Sequence, residues 1–297
     1  MIWVEFALDT LALGSLYAIM SLGLVFVYGI LNLVNFAYGE YIMFGGYILY
    51  LVGTFTGLPW WGSALLAIGG TALLSYLSEV VAFRPVRNKS MDALLVTSFA
   101  ISILLQNGAL LLVSPRSKAV PLPDFFNSTV SLWGVTTPLR NIIMIVTVAV
   151  LLIAVVLLMK KTVLGIAMRA AAEDFTTTRL MGIPANLVIA TAFILSGLLA
   201  GVTAFFWVGR TAAVNPTMGA APLLIAFVAV VIGGMNSLPG SVLGGFIYAI
   251  LFNVLGLFLP AGLTSYREAI MFVIVIIFLV LRPEGLLRGT YPEERVG

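Results

Sequence analysis

The chain has 297 residues, 61% hydrophobic and 9% charged, with a net charge of +3 and neither histidine nor cysteine. A soluble domain carries about a quarter charged residues, so this composition belongs in lipid, and the small positive balance is no mark of nucleic-acid binding. The missing residue types exclude disulfides, thiol nucleophiles, imidazole metal sites and histidine proton relays.

The N-terminus, MIWVEFALDT, has no basic region ahead of its apolar run, so the first segment reads as a retained span. A helix crossing hydrocarbon needs about 20 apolar residues, and the charge-free intervals supply them in order. The first span falls near 8–30, and 41–78 holds two more, divided by the turn-forming GTFTGLP of 53–59. A fourth lies in 93–115, a fifth in 141–159 and a sixth near 186–208. The interval 211–266 is too long for one helix and splits at GGMNSLPG (233–240); a ninth span covers roughly 267–282. The expected architecture is an all-α polytopic bundle of about 8–10 transmembrane helices in a single domain, with Gly-rich segments where a helix can be discontinuous.

Alternate connections sort the bases. One side receives Arg84, Arg87, Lys89, Lys160, Lys161, Arg169, Arg179, Arg282, Arg288 and Arg295; the other receives Arg116, Lys118, Arg140, Arg210 and Arg267. Ten against five predicts a cytoplasmic C-terminus and an external N-terminus. The Pro-rich loop 114–140 is then external, with Trp133 and the Phe125-Phe126 pair at the interface. Gly14, Gly23, Gly29, Gly45-Gly46, Gly197, Gly201 and Gly244-Gly245 lie within spans, where small residues let helices approach closely. FGGYILYLVGTFTGLP (44–59) and LGGFIYAILFNVLGLFLP (243–260) are alike, through either internal duplication or a restricted alphabet.

The polar residues of the spans are neutral, and no charge is expected at the centre of any span. Asn32 and Asn35 sit with Glu40 in LNLVNFAYGE near the cytoplasmic end of the first two spans, where they line a gate or cap helix ends. Gln106 and Asn107, deep in the fourth span, must face a translocation path or another helix. Asn236 reads as a turn residue. Glu79 and Arg84 are expected to snorkel to the interface.

The long polar passage is Lys160–Pro184, KKTVLGIAMRAAAEDFTTTRLMGIP. A short helix over 165–180 brings Arg169, Glu173 and Asp174 together and offers Met168, Ala171, Ala172 and Phe175 as apolar contacts, with Arg179 near its end. Gly165 and Gly182 allow sharp turns, the second at a point expected to need positive φ. No G-x-x-x-x-G-K-[ST] loop occurs, so any ATPase is borrowed, and no reactive constellation suggests an enzyme.

Three stretches together carry a resemblance: GIAMRAAAEDFTTTRLMGIP (165–184), LGSLYAIMSLGLVFVYGILNLVNFAYGEYIMFGGY (13–47) and VIGGMNSLPGSVLGGF (231–246). They resemble permeases of branched-chain amino acid ABC importers, most of all the shorter of that family's two permease subunits. The resemblance implies a complex in the prokaryotic plasma membrane with a second homologous permease, two cytoplasmic ATPases docked at 160–184 and an extracytoplasmic solute-binding protein. It implies that ATP is bound by the partners, so this chain needs no cofactor. The cargo implied is a branched-chain or hydrophobic amino acid; urea, a short amide, and an autonomous secondary transporter are the alternatives.

Overall fold

The computed structural model describes residues 2–287 apart from Asn88, Asp124, Phe125, Asn127, Trp133, Gly134 and Asn236. The expectations for Trp133, Phe125, Asn236, Arg288 and Arg295 lie outside the described residues. Each of the nine apolar intervals holds a helix. In chain order come α1 (Ile2–Leu31), α2 (Tyr38–Phe55) and α3 (Trp60–Ser78), which continues through a π-helical turn, Glu79–Phe83, into the short α4 (Arg84–Val86). Then follow α5 (Met91–Leu112), α6 (Leu139–Lys161), α7 (Val163–Glu173), α8 (Phe175–Leu180) and α9 (Ala185–Thr211). The last three are α10 (Ala220–Gly233), α11 (Leu238–Phe258) and α12 (Arg267–Leu281). Among the described residues seven segments are long and apolar enough to cross a membrane; α2, with Tyr38, Glu40 and Tyr41 in its first turn, and the 14-residue α10 fill the other two intervals without meeting that test. The molecule is an all-α, multi-pass membrane protein.

The described residues hold two small two-stranded sheets. In the 114–140 loop, β2 (Thr129–Leu132) and β3 (Val135–Pro138) form a hairpin, and β1 (Lys118–Ala119) pairs antiparallel with β4 (Ala213–Val214) after α9.

Two long helices make the centre. The apolar stretch of α1 is 94% buried and that of α9 is 72% buried, against 17% for α5 and α6. A helix that is apolar all round and enclosed belongs to a core, whereas α5 and α6 present apolar flanks outward. With no hydrophobic drive between helices in lipid, contact rests on close packing of small residues. A methyl group on Gly245 of α11 would lie 2.5 Å from the Ala18 amide of α1. One on Gly197 of α9 would lie 2.7 Å from Cα of Ala72 in α3.

The helices are arranged as an inverted repeat. Helix α3 packs along α9 and α11 along α1; α2 leans on α3 and α9, and α10 on α11 and α1. The triplets α1–α3 and α9–α11 thus exchange their third helices, and α1 and α9 run in opposite directions. Each leading helix ends on a non-glycine residue in the left-handed region, Asn32 (φ 49) and Ala212 (φ 53). The following connections carry the same pattern, VNFAYG (34–39) and VNPTMG (214–219). Asn35 Oδ1 accepts from the Ala37 amide at 3.1 Å, and Asn215 Oδ1 from the Thr217 amide at 3.1 Å. The duplication therefore relates α2 to α10, and the likeness of 44–59 to 243–260, which sets α2 against α11, does not follow it. Repeats of opposite topology are related by an axis in the membrane plane, which places the junction of α2 and α10 at the level of that axis.

Candidate functional site

The two Asn turns bring the first residues of α2 and α10 together. A methyl group on Gly219 would sit 2.5 Å from the Gly39 carbonyl oxygen and 2.7 Å from its carbon; one on Gly39 would meet the Gly219 carbonyl carbon at 2.9 Å. Only glycine on both sides permits this backbone contact. Glu40 follows Gly39 directly, whereas Ala220 holds the related place in the second repeat. The repeats differ in charge at their meeting point.

Glu40 is 6% exposed, and its Oε1 accepts from the Ser102 hydroxyl at 3.2 Å. Ser102 is the twelfth of the 22 residues of α5, halfway along a membrane-crossing helix. Glu40 heads its own helix, so no span carries a charge at its centre, yet this contact sets it level with the middle of α5, a depth taken as the midplane. Its Oε2 is buried without a hydrogen-bond partner. Beside it Phe36 stacks on Phe99 of α5, centroids 4.0 Å apart. One turn further, Met43, Phe44 and Tyr47 of α2 face Leu104, Leu105 and Gly108 of α5 across a cleft of about 650 Å³. Irregular backbone at membrane depth is tolerated only where protein or a cavity satisfies it. Here Thr217, Ala220, Ala221 and Leu224 are exposed at the start of α10, so this break opens onto the face of the bundle.

The other predicted path residues divide. Asn35 is fully buried and holds the turn before α2 through the Ala37 amide without capping the helix, its Nδ2 lying near the Tyr41 hydroxyl. Asn32 is exposed and ends α1, its amide bonded to the Tyr28 carbonyl at 2.7 Å; the capping reading holds there. Gln106 is half-buried on α5 one turn beyond Ser102, and exposed Asn107 donates to its own helix at Ile103.

In the polar passage the expected single helix is broken at Asp174, which ends α7 and caps α8 by accepting from the Thr177 amide at 2.9 Å. Gly165 is buried against the Leu158–Met159 backbone. Met168 and Ala171 turn inward, 2% and 3% exposed, so they are part of the bundle and not an open contact surface. Arg169 likewise bonds back to the Met159 carbonyl and does not form the expected cluster. Glu173, Asp174 and Arg179 are exposed, Ala172 and Phe175 half-buried. Leu180 (82% exposed) and Met181 (79%), which the sequence reading passed over, form an apolar tip. Gly182 has φ +85, as its place before the Ile-Pro turn predicts.

A family model, branched-chain amino acid transport system / permease component, matches residues 6–279. The chain belongs to this family. The high-affinity branched-chain amino acid transport system permease protein BraD of Pseudomonas aeruginosa is 32% identical over 99% of this chain and 98% of its own length. The permease protein LivH of Escherichia coli K12 is 33% identical, covering 96% and 94%. The longer permease protein LivM of Salmonella typhimurium is 26% identical over 98% of this chain but 72% of its own length. No solved structure matches the chain. Membership makes the protein a transport permease and not itself an enzyme.

One further acid of the permease departs from expectation. Glu79, in the π-turn, is fully buried and does not snorkel; it accepts from Arg84 Nη2 at 2.7 Å and lies 3.7 Å from Arg87 Nη1. Arg87 also bonds to Asn186 at the start of α9, and burial lowers its guanidinium from the ordinary value, against the pull of Glu79. This network ties the end of α3 to the hinge Gly182–Pro184, where Arg87 and Arg179 line one recess. At the opposite end, the guanidinium of half-buried Arg267 lies 3.5 Å from the centroid of Phe252 and bonds the Phe252 carbonyl.

Proposed function

We propose that the permease is one of two membrane subunits of an ATP-driven importer that carries branched-chain amino acids inward across a prokaryotic plasma membrane. The observation that carries this reading is the family match over residues 6–279, supported by two relatives that are matched nearly end to end and whose names state branched-chain amino acid transport. The relation to the longer permease protein supports a heteromeric pair, the second member being a homologue of this chain. Two ATPases supply the energy, no cofactor belongs to this chain, and an extracytoplasmic binding protein delivers the substrate. The excess of bases at the ends of α4, α6 and α8 supports a cytoplasmic side there, with the N-terminus outside.

The docking surface proposed for the ATPase is the exposed part of α7 and α8: Glu173, Asp174, Arg179, Leu180 and Met181. Gly182 and Pro184 lead from it into α9, and the Glu79–Arg87–Asn186 bonds join α9 to α3, so displacement of the tip reaches both repeats. The translocation path proposed runs past the Gly39–Gly219 junction. Leucine uptake by proteoliposomes carrying the complete complex and the binding protein should require internal ATP. Uptake driven by a gradient through this chain alone would refute the subunit reading and favour an autonomous transporter.

A further inference from the structure

A carboxylate at the midplane is costly unless something answers its charge, and intramembrane acids mark sites where a cation or proton is handled. Glu40 has no basic partner among the described residues; the two ion pairs there both belong to Glu79. Its place in the first turn of α2 would suit an acid that merely complements the helix dipole. Yet one oxygen is turned to Ser102 on another helix, and the other is buried and unanswered. The related position, Ala220, lacks the acid, so a role in holding the turn is not shared between the repeats. An apolar cleft with Met43, Phe44, Tyr47, Leu104 and Leu105 begins one turn away. On the other side of the glycine contact, the exposed start of α10 presents the Ala221 amide, while Ala220 bonds the Thr217 carbonyl, Pro222 has no N–H and Leu223 bonds the Gly219 carbonyl.

We propose that Glu40 is the subsite that takes the ammonium group of a zwitterionic amino acid as it passes the midplane. The apolar side chain then lies toward the α2–α5 cleft, and the carboxylate toward the Ala221 amide at the start of α10, where a helix N-terminus favours an anion. A neutral solute such as urea has no charge to offer Glu40, so the acid selects for amino acids within the path itself. This inference rests on the transport reading above and deepens it.

The test uses the whole complex with its binding protein in proteoliposomes. Glu40→Gln should lower leucine uptake per ATP hydrolysed at least tenfold, and Glu40→Asp should restore a measurable part of it. A merely structural residue would reduce uptake and hydrolysis in step, leave the ratio unchanged and make Asp as poor as Gln; that result overturns the proposal, as does a ratio for Glu40→Gln within twofold of the parent. In detergent, an apolar carbodiimide should modify Glu40 more slowly with millimolar leucine present but not with 4-methylpentanoate, which lacks the amino group. Equal protection by both compounds, or by neither, also overturns it. If the unaltered complex shows no ATP-driven uptake, it is the importer reading that fails.

Discussion

Gly219→Ala puts one methyl group into the glycine junction of α2 and α10. It would stand 2.5 Å from the Gly39 carbonyl oxygen, where ordinary contact begins at 3.4 Å, so α2 and α10 must separate by about 0.9 Å. Both walls are backbone, so no side chain can swing aside. Overpacking of this kind costs about 1–3 kcal/mol. At 1.36 kcal/mol per decade, that disfavours the closed junction by roughly 5- to 150-fold. Gly29→Ala is the matched control, since its methyl group meets nothing within 4 Å and alanine favours the helix of α1. Thermal unfolding in detergent and ATP-driven leucine uptake, measured on both variants, should show loss in Gly219→Ala and none in Gly29→Ala. Parental melting and uptake in Gly219→Ala would refute the close junction.

Three further outcomes are expected. Glu79→Ala removes the acid that answers the largely buried Arg87, leaving that charge without its partner, and should lower the melting temperature; an unchanged melting temperature would show that the pair does not hold α3. Gly182→Val should leave the subunits co-purifying and hydrolysing ATP with poor uptake, because a β-branched residue at φ +85 strains the link into α9. Leu180→Ser with Met181→Ser should release the ATPase in co-purification while the chain still inserts; full retention would place the docking surface elsewhere.

Hydropathy made the nine apolar helices legible, seven of them long and apolar enough to span, because lipid demands apolar length and charges delimit it. The same rule hid Glu40. Interval counting takes any charge as a boundary, whereas this acid follows a turn made inside the membrane. The trace was present in VNFAYG and VNPTMG, whose paired Asn and Gly residues repeat the turn chemistry; the longer Gly-Gly likeness drew attention to helices the fold does not relate. In the docking segment, Asp174 before Phe175-Thr176-Thr177 is a capping signal that predicts the break between α7 and α8. The inward turn of Met168 and Ala171 follows from their three-residue spacing on the face that α7 gives to the bundle. The exposure of Leu180 and Met181 depends on the hinge direction and has no local signature.

The central claim, that the path passes the meeting point of the two repeats, can be tested through the absence of cysteine from the chain. Ala220→Cys in the assembled complex should react with a charged, membrane-impermeant methanethiosulfonate, and its rate should change when ATP and loaded binding protein are supplied. Val150→Cys, 60% exposed on the apolar flank of α6, should not react. An Ala220→Cys thiol that stays unreactive from both sides of the membrane, with and without turnover, would contradict the account.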